Sequence, residues 1–286
     1  MIKLEVNGVD KMKIKYYGSS ASEAWPALFC SCSACNAAAE LGGKNIRTRH
    51  QVQIDDSLLI DFPPDTNYHI RQYGLDLRKI KNLLITHSHP DHFYPYDLAN
   101  RVSQYTDGIT ISEMLHIYGN STVKKIFSSV MKDYQNVEAV MKFHELKPSD
   151  NFVTEDHYYV EAFLADHKYD EQSLIYSIEK ENKKILFAHD TGIFPDETWE
   201  KLENQYFHCV SLDCTGVTKG WINGHMGFEA VKYTCKRMRR MRCIDDGTVI
   251  ILSHFAHCTD MTHEKIEKIA NENGCLAAYD GFECIF

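Results

Sequence analysis

The chain has 286 residues, and 31 Lys+Arg against 40 Asp+Glu leave a net charge of −9 at neutral pH. So acidic a chain lacks the counterion-releasing surface that general binding to duplex phosphate requires, and no general nucleic-acid binding is expected. An apolar fraction of 44% excludes bulk disorder and fits a sizeable core, and the length accommodates one large domain or two small ones.

The first eighteen residues, Met1–Gly18, contain no apolar run of the kind an export signal needs, and no stretch approaches the about 20 apolar residues of a spanning helix. A cytoplasmic location without membrane attachment is therefore expected. In that setting the ten cysteines are thiols or metal ligands rather than a disulfide framework. Short β-prone runs open the chain at Lys13–Gly18, Gln51–Asp55 and Leu58–Asp61, and Lys81–Thr86 reads as a buried strand. Helical stretches follow at Tyr96–Gln104 and Ser121–Tyr134. Strands resume at Tyr158–Ala165, Ser173–Ile178 and Lys184–Ala188. The last third alternates: helix at Glu197–Gln205, strand at Cys209–Asp213, helix at Gly227–Arg240, strand at Val249–Ser253, helix at His263–Asn273. With no internal repeat and no Pro/Gly/Ser-rich linker, this order predicts two sheets covered by helices rather than regular βαβ winding.

The strand at Lys81–Thr86 runs directly into His87-Ser88-His89-Pro90-Asp91-His92, four metal-ligand side chains in six residues. In extended chain i and i+2 point the same way, so His87 and His89 can share one metal. Pro90 interrupts the strand, and Asp91 and His92 can turn to a second metal nearby. Imidazole with carboxylate suits zinc, manganese or iron. Two metals need more ligands, and His167, Asp190 and His254 each follow a predicted strand, where a rigid scaffold can aim them.

This motif series resembles the metallo-β-lactamase superfamily. The resemblance runs from about Lys13 to Tyr279-Asp280-Gly281 and implies a four-layer αββα sandwich with the site at one edge of the two sheets. It assigns His87, His89 and His167 to one metal, Asp91, His92 and His254 to the other, and Asp190 as the bridge. Asp61, at the end of Leu58–Asp61, resembles the strand-end aspartate that accepts a hydrogen bond from a ligand histidine. Asp166 and His189 are weaker candidates for similar work. Asp65 and Asp213 read as turn and strand-end residues.

Cys30, Cys32 and Cys35 form C-x-C-x-x-C, which can fold around a tetrahedral zinc with one ligand missing; His257 is the candidate fourth and Cys258 the alternative. The pattern resembles the carbon–phosphorus lyase accessory phosphodiesterases of the same superfamily, which carry these cysteines and a histidine three residues after the last active-site histidine. A related cluster occurs in the pyrroloquinoline-quinone biosynthesis B proteins, which tend to depart from the complete H-x-H-x-D-H series. The implied structural zinc, on an N-terminal loop of about residues 28–36, pins that loop to the one carrying His254. The other cysteines read as small core residues. In phosphodiesterase branches a histidine in a Gly-His context like Gly224-His225 binds phosphate or protonates the leaving oxygen, and histidine suits this because its pKa lies near neutrality.

The expectation is one domain over 1–286: a binuclear metal-dependent hydrolase, a phosphodiesterase in which a metal-bridging hydroxide attacks phosphorus, Asp91 orients it and His225 is the acid. The ligands are two active-site divalent ions, zinc or manganese/iron, one structural zinc, and a small phosphodiester substrate; a homodimer is compatible. The alternatives are hydrolysis of another ester, thioester or lactone, and a non-catalytic zinc sensor or scaffold. A barrel-type amidohydrolase also opens with H-x-H, but Asp91-His92 and the non-repeating strands disfavour it.

Overall fold

The computed structural model describes residues 2–3, 11–102 and 114–286. Strands β1 (Ile2–Lys3), β2 (Lys13–Gly18), β3 (Gln51–Ile54), β4 (Leu58–Ile60), β5 (Asn82–Leu84), β6 (Leu115–Gly119) and β7 (Met141–Glu145) belong to the first sheet. Strands β8 (Asn151–Val153), β9 (Tyr159–Leu164), β10 (Leu174–Lys180), β11 (Lys183–Ala188), β12 (Cys209–Asp213), β13 (Val249–Ser253) and β14 (Leu276–Ala277) form the second in spatial order 14-13-12-11-10-9-8. The last strand, β15 (Glu283–Ile285), returns to the first sheet between β1 and β2.

Period-two patterning stacks the layers. In β10, Leu174, Tyr176 and Ile178 enter the core between the sheets with Ile14, Val52, Ile60 and Phe187, while Ile175 faces the other way. That outer face, with Leu186, Val210 and Leu252, is covered by α1 (Ser33–Leu41), α4 (Asp196–Leu202), α5 (Phe228–Arg240) and α6 (His263–Asn271). The outer face of the first sheet, through Leu59, Leu83 and Ile117, packs on Val123, Phe127 and Met131 of α3 (Ser121–Met131); α2 (Thr66–Tyr73) lies after β4. The result is the expected αββα sandwich. No described helix is long and apolar enough to cross a membrane.

Strand direction places the site. In the first sheet β4, β5 and β6 are parallel, and in the second β11, β12 and β13 are parallel with β9 running the same way. Their carboxyl ends share one edge, and the two sheets are tied there by the Leu174 N–H donating to the Thr86 carbonyl at 2.9 Å. One expected element differs: residues 96–102 hold only a 3₁₀ turn at Leu98–Arg101, and the rest of the expected Tyr96–Gln104 helix, 103–104, lies outside the described residues.

Candidate metal centre

Asp61 follows β4, His87–His92 follow β5, His167 follows β9, Asp190 follows β11, Asp213 ends β12 and His254 follows β13. Three of these residues, Asp61, Asp190 and His254, hold positive φ of 64°, 49° and 65°. Left-handed backbone in non-glycine residues is unfavourable and persists only where the surroundings impose it. Here it turns the side chain back over the sheet edge at the end of three strands.

Hydrogen bonds set the histidine tautomers. Thr86 Oγ1 donates to Asp61, which leaves it to accept from His87 Nδ1 at 3.0 Å. His92 Nδ1 donates to Asp61 Oδ2 at 2.7 Å. His167 Nδ1 donates to the Gly224 carbonyl at 2.9 Å, and His254 Nδ1 to Thr215 Oγ1 at 2.8 Å. Four histidines therefore turn a free Nε2 lone pair toward the same space, the orientation a metal ligand needs. His89 instead offers Nδ1, 2.8 Å from His87 Nε2 and 3.3 Å from His167 Nε2. Burial holds His87, His89 and His254 below the ordinary imidazole pKa, hence neutral and able to ligate.

His87, His89 and His167 present donor atoms within 4.8 Å of one another. On the other side, His92 Nε2 lies 3.1 Å from Asp91 Oδ2 and 3.0 Å from Asp190 Oδ2, and His254 Nε2 lies 3.1 Å from the same Asp190 oxygen. Asp190 Oδ1 faces the first group, 3.5 Å from His167 Nε2. His92 Nε2, His254 Nε2 and Asp190 Oδ2 are buried without a hydrogen-bond partner. Convergent orphans of this kind are costly unless something else satisfies them. His92 reports the same excess of negative charge: burial opposes its protonation, yet Asp190, Asp91 and Asp61 hold its pKa well above the ordinary value. A buried cation would relieve that excess, and the donors fall into two groups that share Asp190.

Asp213 has a larger part than a strand-end residue. It is fully buried, and its Oδ1 accepts from the backbone N–H groups of Thr215 (3.0 Å) and Met226 (2.9 Å). Its Oδ2 accepts from the Asp190 N–H (3.1 Å), Thr215 Oγ1 (3.0 Å) and His225 Nδ1 (3.1 Å). One carboxylate thus holds the loops of Asp190 and His225 and, through Thr215, the ring of His254. Burial opposes a charge on His225, but Asp213 beside it raises its pKa to about 9. Of the weaker candidates, Asp166 Oδ2 accepts from the Gly224 N–H at 3.2 Å and so braces the His225 loop. His189 holds no ligand: its Nε2 bonds Ser211 and its ring packs on His50 between the sheets. Asp65 pairs with Arg49 beside α2.

The cysteine cluster closes on His257. Its Nδ1 lies 3.6, 3.5 and 3.4 Å from the sulfurs of Cys30, Cys32 and Cys35. A tetrahedron with Zn–S of about 2.3 Å and Zn–N of about 2.0 Å has S···N edges of about 3.5 Å. Glu23 lies 3.6 Å from His257 Nε2, which leaves Nδ1 for the sulfurs. Cys32 caps α1, Cys35 sits in its first turn, and the alternative ligand Cys258 is exposed and outside the four-donor group. His257 leads Cys32 to a pKa of about 6, the direction that favours thiolate.

Over residues 58–255 the chain matches the β-lactamase superfamily domain. No curated protein sequence matches it. Among solved structures it is similar to a diphosphatase of the PhnP family, at 19% identity and a TM-score of 0.74 over 97% of this chain and 98% of that one. Zn²⁺-bound PqqB from Methylobacterium extorquens aligns with a TM-score of 0.68 at 15% identity, over 95% of this chain and 99% of that one. The short form of human tRNase Z aligns with a TM-score of 0.63 at 18% identity, over 95% and 98%. At these identities the likeness is one of fold.

Proposed function

The chain belongs to the metallo-β-lactamase superfamily of metal-dependent hydrolases, and on that premise we propose that it is a binuclear phosphodiesterase with one structural zinc, built as a single domain over residues 1–286. His87, His89 and His167 hold one active-site ion, Asp91, His92 and His254 the other, and Asp190 spans both. The observation that carries this is the division of Asp190, one oxygen toward His167 and the other toward His92 and His254. Cys30, Cys32, Cys35 and His257 hold the third ion. Ten free cysteines support a reducing compartment such as the cytoplasm.

When bound, two divalent ions supply charge neutralisation at the phosphoryl oxygens and a water acidic enough to attack near neutrality. The chain's own groups do the rest. Asp91, beside His92, orients the attacking water. Attack on phosphorus expels an alkoxide, a poor leaving group that needs a proton. His225, with Nδ1 held by Asp213 and its ring about one-quarter exposed, carries that proton on Nε2. The phosphodiester preference rests on His225 and on the motif resemblance; the shared fold of a PhnP-family diphosphatase is compatible with it.

Metal analysis and turnover of bis(p-nitrophenyl) phosphate test the proposal. The expected result is three ions per chain and metal-dependent hydrolysis. His89→Ala should abolish turnover and lower the metal count with little change in melting temperature. A protein holding no metal at the histidine cluster overturns the binuclear site, and a metal-loaded one that cleaves lactones or thioesters but no phosphodiester overturns the substrate class.

A further inference from the structure

The chain has three tryptophans; Trp25 and Trp199 are buried, and Trp221 is 39% exposed. The Trp221 ring lies 6.3 Å from that of His225, tilted 39° to it. Its other side is packed. A Cβ at Gly216 would meet Trp221 Cε3 at 3.1 Å, so the indole packs closely on this glycine. A Cβ at Gly227 would lie 1.8 Å from the Lys219 carbonyl oxygen, so the far end of the loop is equally close-built. Between them Val217, β-branched and buried, holds φ of 38°. A branched side chain in this region is a genuine outlier and marks backbone held against its preference. The holding bonds are visible: Lys219 N–H to Gly216 O at 2.6 Å, Phe228 N–H to Val217 O at 2.6 Å and Gly227 N–H to Trp221 O at 2.9 Å.

This loop does not bury its tryptophan. It spends backbone strain and two close-packed glycines to present a large flat apolar face to water beside His225. We infer that Trp221 is a stacking platform for the departing alcohol, and that the substrate is a phosphodiester whose leaving group carries a flat aromatic ring, as a nucleoside does. The inference rests on the phosphodiesterase reading above. His225 identifies the leaving-group side, because its proton goes to the departing oxygen. A pentose spans the gap between that oxygen and a ring stacked on Trp221. In the reaction, water adds its oxygen to phosphorus and releases one proton to solvent, the P–O5′ bond breaks, the nucleoside alkoxide takes the proton from His225 Nε2, and a solvent proton then restores His225.

The test uses the metal-loaded full chain and two readouts. Tryptophan fluorescence is titrated with adenosine 5′-monophosphate and with ribose 5-phosphate, which differ only in the base. With the other two tryptophans buried, quenching by the nucleotide alone, lost in Trp221→Leu, is the expected result. Hydrolysis is compared on the methyl phosphodiesters of adenosine and of abasic ribose at O5′, whose alkoxides are equally poor leaving groups. Trp221→Leu should lower kcat/KM about 10- to 100-fold for the adenosine ester only, with Trp221→Tyr retaining most activity. Equal turnover of the two esters by the native protein, without nucleotide-specific quenching, overturns the stacking platform and leaves the phosphodiesterase reading standing. Quenching in Trp221-containing protein that cleaves neither ester overturns that reading, and with it the leaving-group assignment.

Discussion

Asp213→Asn separates the proposed acid from its partner with little change of shape. The amide oxygen can keep the two backbone bonds from Thr215 and Met226. The amide nitrogen then replaces Oδ2 and faces three donors: the Asp190 N–H, Thr215 Oγ1 and His225 Nδ1. The hydroxyl can rotate and the imidazole can change tautomer, but the Asp190 N–H is left unpaired, at a cost of about 1–3 kcal/mol. The larger effect is on protonation. His225 now sits at about 9 because Asp213 outweighs burial; without that carboxylate burial and His92 are opposed by Asp190 alone, and the pKa falls toward the ordinary value of about 6.5. At pH 8 a group at about 9 is about nine-tenths protonated and one at about 6.5 only about 3%, so about 30-fold less acid is present. Bound cations lower both titrations, so the separation between the two proteins is the quantity to measure. The assay is the pH profile of kcat/KM on an alkyl phosphodiester. Read at saturating metal, so that weaker holding of His254 does not enter, the native alkaline limb should move toward acid by about two pH units in Asp213→Asn. The sign carries over to stability: the raised His225 pKa contributes stability that is full below about 6.5 and lost as pH rises through about 9. An unshifted alkaline limb would refute the assignment of His225 as acid and of Asp213 as the group that holds its proton.

His225→Ala should slow an alkyl phosphodiester by about 10²–10⁴-fold and a nitrophenyl one far less, because nitrophenolate leaves without a proton; equal losses on both would indicate phosphate binding instead. Cys32→Ser should remove one zinc per chain and leave the two active-site ions. Losing a structural zinc worth more than about 2 kcal/mol lowers the melting temperature by about 5 °C or more in a domain of this size, read by calorimetry. Its loss of hydrolysis should come through His254, because Phe255 bonds both Ser19 and Ala21 at the base of the cysteine loop; an unchanged zinc count would end the structural-zinc assignment.

The proposed ligands were legible in the sequence because each ends a strand with strong local character. Apolar runs such as Val249–Ser253 define the strand, and a histidine or aspartate just beyond it stands out. The elements that went unread lack that contrast. β7, Met141–Glu145, buries only Met141 fully and carries Lys142, His144 and Glu145, so its short pattern is mostly polar. α1 begins inside the cysteine motif, so its Ala-rich run, Ala37–Glu40, was overshadowed by the thiols. Asp213 was underread for a different reason. Its importance lies in five hydrogen bonds from four residues, three of them outside its own turn, and long-range convergence leaves no local pattern. One clue was available: both strand-end aspartates have a threonine that matters, Thr86 reached across the sheet from Asp61 and Thr215 two residues after Asp213.

That pair of aspartate–threonine clamps explains why the two sheets divide the work as they do. Asp61 in the first sheet fixes Thr86 and His92, and Thr86 in turn fixes His87. Asp213 in the second fixes Thr215, and Thr215 fixes His254. In each case the carboxylate takes the hydroxyl proton, the hydroxyl oxygen takes the Nδ1 proton of a histidine, and the Nε2 lone pair is left facing the gap. A threonine hydroxyl without the carboxylate could instead donate to Nδ1 and turn the imidazole into the tautomer that cannot ligate through Nε2. The buried aspartates therefore hold these histidines in the tautomer that a metal ligand at Nε2 needs. Their position at parallel strand ends means that the tautomer choice is enforced by the sheets themselves. The Asp190 oxygen that faces His92 and His254 has no such clamp and is left without a hydrogen-bond partner at the centre of the site.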